Sequence, residues 1–205
     1  MTIGADVLKA LPPRPYAEVR EQVQDGDILL CSAADWGSLA IRWATRSQWS
    51  HVAIAFRLPE VDRVVVLECV ERIGVRAVPL SGFIARTSSG TEPYPGSILL
   101  ARHQAMAAVG GWKSLREMST FAFGRLGDRF SNLETAKIAL RICLGRFDTV
   151  LPPVVAPDDE FICSEYVARC FERIGIRIKW DGLGFIAPSD FADDPAIGAV
   201  AQIQT

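Results

Sequence analysis

The chain contains 205 residues, 49% of them hydrophobic and 22% charged, and its 22 Lys and Arg against 24 Asp and Glu give a net charge of −2. This length suits one large domain, or at most two small ones, with a sizeable core. The composition argues against a disordered, collagen-like or coiled-coil chain. Because the charge provides no broad positive field, we expect no nucleic-acid partner.

The N-terminal segment and the cysteine pattern indicate the cellular compartment in which the protein is expected. Pro12, Pro13 and Pro15 interrupt the first twenty residues, which lack the basic start and apolar stretch of a secretory signal. The longest strongly apolar runs, such as Val64–Leu67, are far shorter than the about 20 residues that span a bilayer. The five cysteines are odd in number and irregularly spaced, which argues against a disulfide framework. We therefore expect a soluble, cytoplasmic protein with reduced thiols.

The first half of the chain predicts an antiparallel meander of about five short strands. These segments are apolar, rich in β-branched residues and bounded by turn residues. The predicted strands are 28–31, 52–56, 64–67, 75–78 and 97–101, with a helix at 36–44 between the first two.

Helix formers replace the strand signals after residue 102. A helical segment is predicted over Gln104–Arg146, followed by a proline-containing loop at 151–159 and a helix from Cys163 to Ile174 that stops at Gly175. Strands first and helices afterwards indicate an α+β fold. We predict a single domain over 1–205.

His51 stands at the entry to the apolar strand predicted at 52–56. A strand-edge histidine suits a catalytic base, because the sheet fixes its backbone while its ring faces a cleft. The alternative is a core histidine that only hydrogen-bonds a nearby carbonyl.

Glu68 lies in an apolar strand, where an ionised carboxylate costs several kcal/mol unless it is paired or solvated. A hairpin with the four-residue loop Leu58–Val61 pairs Arg57 with Asp62 and places His51 directly opposite Glu68. Cross-strand neighbours have Cβ atoms about 4.5–5.5 Å apart, close enough for the carboxylate to hold the imidazole in one tautomer.

Two alternatives remain open for Glu68. It faces water, or it pairs with Arg63 or Arg72. A one-residue register slip would also turn its side chain to the other face of the sheet.

Cys163 begins the predicted final helix. The unsatisfied N–H groups and the positive dipole end of a helix N-terminus favour a thiolate, and an adjacent N–H suits an oxyanion. Asp158, Asp159 and Glu160 lie just upstream and oppose thiolate formation, so activation depends on a histidine partner. The alternative is a core cysteine, because Cys163 lies on a helical repeat of apolar residues.

The remaining candidates are weaker. His103 is the only other imidazole, and a zinc site built from His51, Cys69 and Cys163 is disfavoured because no C-x-x-C pair occurs. No phosphate-binding glycine pattern is present either, and we predict no metal and no cofactor. The cysteines expected on apolar faces are Cys31, Cys143 and Cys170.

The order of several segments resembles the circularly permuted branch of the NlpC/P60 superfamily, the YiiX-like papain-fold proteins, in which the histidine strand precedes the cysteine helix. Pro188–Phe191 also resembles the Pro-x-Asp segment that closes these domains, so the resemblance covers about residues 24–192. The other segments that carry it are Gly26–Leu29, Ser50–Ile54, Val66–Cys69 and Phe161–Tyr166.

The resemblance implies a papain-like fold, an antiparallel sheet or partial barrel packed against helices, with a helical insertion at about 104–146. It also implies a cysteine amidase or peptidase that forms an acyl-cysteine intermediate on a small peptide or acyl-amide substrate, including cell-wall-type peptides. The implied roles are nucleophile for Cys163, base for His51 and orienting residue for Glu68. The residues assigned to substrate binding are Asp27, Ser50, Ser164 and Tyr166.

Two other functions are kept as alternatives: an acyl-cysteine lipid acyltransferase or thioesterase, and a non-catalytic domain that binds a peptide or amino acid. The helical insertion exceeds what the fold needs, and its role as a lid, an oligomer surface or packing stays open. Its basic residues alternate with apolar ones as in solvated helix faces, so a membrane-surface role is disfavoured. The sequence does not determine the oligomeric state.

Overall fold

The computed structural model describes residues 2–34, 36–71, 73–85, 92–109, 111–130, 160–180 and 186–205. The strands in these ranges are β1 (Asp27–Ala33), β2 (His51–Leu58), β3 (Arg63–Val70), β4 (Gly74–Pro79), β5 (Gly96–His103), β6 (Arg129–Phe130), β7 (Glu160–Phe161) and β8 (Ile197–Ile203). The helices are α1 (Ala5–Ala10), α2 (Tyr16–Val19), α3 (Trp36–Thr45), α4 (Leu80–Ala85), α5 (Met106–Val109), α6 (Trp112–Gly124), α7 (Cys163–Glu172) and α8 (Pro188–Asp193). Short 3-10 helices occupy Arg20–Gln22 and Pro59–Val61.

Six strands form one antiparallel sheet in the order β4-β3-β2-β1-β5-β8. The five predicted strands all exist, and β1 to β4 form the predicted meander. The fifth departs from it, because β5 pairs with the free edge of β1, with Cys31 opposite Ile98. The edge strand β8 was not predicted and lies beyond residue 192; its Gly and Ala residues weaken the strand signal.

The β2–β3 hairpin differs from the predicted register by two residues. Leu58 lies opposite Arg63, whereas the prediction paired Arg57 with Asp62. The turn causes the difference, because the 3-10 helix Pro59–Val61 and the left-handed Asp62 (φ 47°) make the loop 59–62 rather than 58–61. Since the shift is even, the residues of each strand keep their predicted faces.

Both faces of the sheet are buried. Along β3, Leu67 and Cys69 belong to one apolar cluster and Val64 and Val66 to the other, as the two-residue period of a strand requires. Helices α6 and α7 contribute to the first cluster and α4 to the second. Each fully buried large aliphatic side chain adds about 1.5–3 kcal/mol of hydrophobic stabilisation. The packed sheet therefore fixes the backbone positions of the polar residues at its ends.

The second half is partly as predicted. Helices α5 and α6 confirm the start of the helical segment, but the short strand β6 pairs in parallel with β7, with Arg129 opposite Glu160. Residues 131–159, which contain the rest of that segment and the predicted loop, lie outside the described residues. Helix α7 begins at Cys163 as predicted. Across the described ranges, none of the helices has the length and apolar character that crossing a bilayer requires.

Candidate active site

Three elements bring the predicted catalytic residues to one end of the sheet. His51 is the first residue of β2, Glu68 lies in β3, and Cys163 is the first residue of α7, which packs against both strands. The Cys163 thiol and the His51 ring are close enough that each shifts the pKa of the other. The three side chains therefore form a connected row in which His51 is the middle member.

The His51–Glu68 contact is short and largely buried. The distance from His51 Nε2 to Glu68 Oε2 is 2.7 Å, and the two side chains are 19% and 4% exposed. In the observed register Glu68 lies diagonal to His51 rather than directly opposite, but both keep the same face of the sheet. Because Nε2 is engaged by the carboxylate, Nδ1 is the ring nitrogen left for the thiol.

Arg76 of β4 is the residue that sequence reasoning missed. It lies opposite Glu68 in the β3–β4 pair, and its Nε and Nη2 donate to Glu68 Oε1 at 2.9 and 2.7 Å. Of the two arginines considered as alternative partners of Glu68, Arg63 instead donates to the Asp62 carbonyl. Arg72 lies outside the described residues. Arg76 was recognisable, because both of these strands were predicted and a tight turn between them sets this register.

The Cys163 thiol is placed where a thiolate is stabilised. Burial raises its pKa, but the charge and hydrogen bond of His51 and the backbone N–H groups of Val52 and Ser164 outweigh burial and hold the pKa below its ordinary value. Ile162 is the N-cap and provides no side-chain cap, which leaves first-turn N–H groups of α7 available to the sulfur or to an oxyanion.

The pKa values of His51 and Glu68 are both shifted by neighbouring charges that outweigh the effect of burial. Burial lowers the pKa of His51, but the Cys163 sulfur and the Glu68 carboxylate outweigh it and raise that pKa to about 10. Burial raises the pKa of Glu68, and its bonds to His51 and Arg76 more than reverse that shift. The arrangement favours a thiolate–imidazolium pair held by an ionised carboxylate.

The other described cysteines are packing residues, as predicted. Cys31, Cys69 and Cys170 are buried, and burial raises the pKa of each thiol. Cys163 is partly exposed, so it is the accessible thiol of this group. Cys143 lies outside the described residues.

Asp27, predicted to bind substrate, is not brought to this end of the sheet. It pairs with Ala55 at the far end of β1, four residues and about 13 Å from the position opposite His51. Its carboxylate is 1% exposed and holds Arg102 through both oxygens. The structure accounts for Asp27 as half of a buried ion pair.

The other three residues assigned to substrate binding lie near the row, but internal bonds occupy their polar atoms. The Ser50 hydroxyl accepts a backbone N–H of β1 at 3.2 Å. The hydroxyls of Ser164 and Tyr166 donate to the carbonyls of Ile186 and Ala122 at 2.6 and 2.9 Å. Their contact with a substrate stays a prediction.

His103 belongs to the opposite end of the sheet. Its Nδ1 accepts the backbone N–H of Ala105 at 3.1 Å, and burial lowers its pKa despite the opposing charge of Asp194. A cavity of about 750 Å³ opens at this end beside Arg57, Arg102 and His103, and none of the three predicted catalytic residues lines it. The Cys163–His51–Glu68 row is therefore separate from this cavity.

The fold and the site define an α+β protein with a six-stranded antiparallel sheet packed against helices and a Cys-His-Glu row at one end. No family model matches the chain, and no curated protein does. Among solved structures, the chain is similar to metalloprotein yiiX from Escherichia coli O157:H7, DUF1105, with a TM-score of 0.62 and 20% sequence identity over 90% of this chain and 99% of that one. The chain therefore has a YiiX-like fold.

Proposed function

We propose that this protein is a cysteine hydrolase that cleaves an amide through an acyl-cysteine intermediate, on a circularly permuted NlpC/P60 version of the papain fold. The observation that carries the proposal is the row Cys163–His51–Glu68, in which His51 is held at 2.7 Å by a buried carboxylate and lowers the pKa of the Cys163 thiol beside it. The resemblance of the motifs and the YiiX-like fold support the same class.

The first half of the reaction uses the thiolate and the imidazolium. Cys163 Sγ attacks the acyl carbon, and the backbone N–H groups at the start of α7 bind the oxyanion that develops. His51 gives its Nδ1 proton to the leaving nitrogen, the carbon–nitrogen bond breaks, and an amine departs. The acyl group then remains on Cys163 as a thioester.

The second half restores the enzyme. Neutral His51 takes a proton from water, the hydroxide adds to the thioester carbon, and the carbon–sulfur bond breaks to release an acid and the Cys163 thiolate. Glu68 keeps the ring in one orientation and stabilises the imidazolium each time it forms. We propose a small peptide or acyl-amide substrate in the cytoplasm, since the motifs resemble a family that includes amidases of cell-wall-type peptides.

Acyl transfer to a lipid is the second candidate, and one surface feature favours it. Leu39 and Trp43, one turn apart on α3, are 44% and 64% exposed. Helix α3 connects β1 to β2 and so leads to His51, where an apolar acceptor would have to approach. Incubation with liposomes and an acyl donor separates the two candidates: acylated lipid supports transfer, and free acid alone supports hydrolysis.

A metal ion, which the description of yiiX as a metalloprotein implies for that protein, does not fit the donor atoms of this row. Glu68 commits both oxygens, one to His51 and one to Arg76. This leaves Cys163 Sγ and one ring nitrogen, fewer than the three or four protein ligands that zinc sites use. No group of three His, Cys, Asp or Glu side chains suited to a metal occurs among the described residues. The proposed steps therefore involve no metal.

The pH dependence of iodoacetamide labelling tests the activated nucleophile. Labelling of the Cys163 peptide, followed by mass spectrometry in the wild type and in His51→Ala, should show an apparent pKa well below the about 8.5 of a free thiol only in the wild type. The variant Cys163→Ser measures labelling of the other cysteines. Ordinary thiol titrations in both proteins would rule out the proposal.

A nitrophenyl ester then tests turnover. The expected result is a burst of nitrophenol, a transient acyl mass on the Cys163 peptide and steady release of free acid. An acyl-cysteine that forms but does not hydrolyse would contradict the hydrolase assignment and leave transfer as the function.

A further inference from the structure

The Glu68 carboxylate is shared between two strands. On one side Oε2 contacts His51 of β2, and on the other Oε1 accepts two hydrogen bonds from Arg76 of β4. The glutamate side chain is only 4% exposed, whereas that of Arg76 is 25% exposed. The row that begins at Cys163 therefore continues through Glu68 to a fourth side chain.

We propose that Arg76 is a positioning residue of this site, which holds Glu68 in the orientation that directs its second oxygen at His51. This inference rests on the proposed function, since it assigns Arg76 to the same reaction. Arg76 touches neither Cys163 nor the reacting atoms, so it acts through Glu68.

The geometry of the guanidinium supports the positioning role. Two adjacent donors of one planar group converge on a single carboxylate oxygen, which limits rotation of the carboxylate better than a single donor would. The backbone fixes the donor in turn: Gly74 (φ +87°) begins β4 in a left-handed conformation, close to the Asp128 carbonyl, and sets Arg76 opposite Glu68. A carboxylate held in this way presents its free oxygen to one place, the His51 ring.

The sum of the charges along the row also supports a role for Arg76. With a Cys163 thiolate, a His51 imidazolium and a Glu68 carboxylate, the signs alternate and sum to −1, and the Arg76 cation brings the sum to zero. Burying a net charge costs free energy. Loss of the Arg76 cation therefore favours the more protonated forms of Cys163, His51 and Glu68. The Cys163 thiolate then forms only at higher pH.

The neighbouring titratable groups do not replace this cation. Cys31 and Cys69 lie near Cys163, and burial raises the pKa of each, so both stay neutral thiols. Glu165, in the first turn of α7, is acidic and accepts from Arg169 at 3.2 Å. Among the described residues, Arg76 is the cation that contacts Glu68 apart from His51.

The test compares Arg76→Gln with Arg76→Lys and with Arg63→Gln, a matched loss of an arginine from the solvent-exposed start of β3. The readout is the iodoacetamide titration of Cys163. We expect Arg76→Gln to raise the apparent pKa of Cys163 by roughly 0.5–1 unit, which lowers labelling about three- to tenfold at pH below that pKa. Arg76→Lys keeps the charge and should recover most of the shift, and Arg63→Gln should have no effect.

A second readout reports the position of Glu68 directly. The Nε2–H signal of His51 in a ¹⁵N spectrum depends on its bond to Glu68, and we expect Arg76→Gln to displace it and Arg63→Gln to leave it in place. An unchanged thiol titration and an unchanged His51 signal in Arg76→Gln would overturn the positioning role. If the wild-type thiol titrates normally, the proposed function fails, while the His51 signal still decides the role of Arg76.

A further variant covers the case in which Arg76→Gln does not fold. The pair Glu68→Gln and Glu68→Gln/Arg76→Gln removes the buried unpaired carboxylate before the arginine is changed. If Arg76 acts through Glu68, the second substitution leaves the His51 signal where the first placed it. A further displacement of comparable size would show that Arg76 acts on His51 independently and would overturn the proposal.

Discussion

The two ends of the sheet contain the same residue types in different arrangements. At one end Asp27 binds Arg102 through both oxygens, at 2.6 and 2.7 Å, with His103 next in the chain. At the other end, Glu68 gives one oxygen to Arg76 and the other to His51. Each end thus contains a buried carboxylate, an arginine and a histidine, but only one end connects all three.

The two carboxylates differ in how their charge is compensated. Burial raises the pKa of Asp27, and Arg102 only partly reverses the rise, while the pKa of Glu68 lies below its ordinary value. The Asp27 carboxylate gives both oxygens to Arg102 and accepts the backbone N–H of Gln24 at 2.8 Å, so among the described residues it contacts no other ionisable group. A carboxylate shared with a histidine transmits its charge to the next group, here Cys163.

The largest expected effect is the difference in turnover between two single variants, in each of which one histidine is replaced by alanine. His51→Ala should lower turnover of the nitrophenyl ester by about 10³-fold or more, because the nucleophile loses its base and its counter-ion. His103→Ala is the matched control at the other end and should leave turnover near the wild-type rate. Steady-state kinetics of both variants measure the difference. A large loss of turnover in His103→Ala together with a small one in His51→Ala would reverse the assignment of the two ends.

Asp27→Asn should affect stability and not reactivity. Breaking a buried ion pair leaves an unpaired charge, and because Arg102 is 28% exposed we expect a loss of about 3 kcal/mol, the lower end of the usual range. Urea unfolding measures the loss, and iodoacetamide labelling of Cys163 should keep its wild-type pH profile. A shifted thiol titration in the folded variant would show that the two ends are coupled.

The pH dependence of stability gives the smallest effect. His51 has a raised pKa, so its contribution is complete below about 6.5 and is lost as the pH rises through about 10. Cys163 has a lowered pKa, so its contribution grows with pH up to the about 8.5 of the unfolded thiol. Above that pH the Cys163 contribution no longer grows, while the His51 contribution is still being lost. The free energy of unfolding of the wild type should therefore fall toward pH 10 relative to His51→Ala. Parallel urea curves for the two proteins across this range would contradict the ion pair.

Local chemistry predicted the members of the row well. An ionisable residue in an apolar strand has to be compensated, a histidine at a strand edge is held rigidly, and a cysteine at a helix start meets free N–H groups. These arguments selected Glu68, His51 and Cys163, which the structure brings together. The hairpin register was wrong by two residues, but an even error preserves the face of each side chain.

The same chemistry could not separate Asp27 from Glu68. Both are acidic residues beside apolar strands, and the arginine partner of neither one was inferred from the sequence. Arg102 is 75 residues from Asp27, and Arg76 reaches Glu68 only through the turn between β3 and β4. Asp27 was assigned to substrate binding, and Arg63, one of the two arginines considered as alternative partners of Glu68, instead donates to the Asp62 carbonyl.

By itself, the sequence determined the strands β1 to β5, the helix that starts at Cys163 and the α+β class, because these depend on residue periodicity and local turn signals. The tertiary structure decided the sheet order, the pairing of β5 with β1, the edge strand β8 and the arginine partners of Asp27 and Glu68. These features depend on contacts between residues far apart in the chain, which short-range periodicity does not encode. The two histidines illustrate the distinction: the predicted hairpin already placed His51 beside Glu68, whereas the tertiary structure decided that Glu68 also binds Arg76 and that His103 lies at the opposite end.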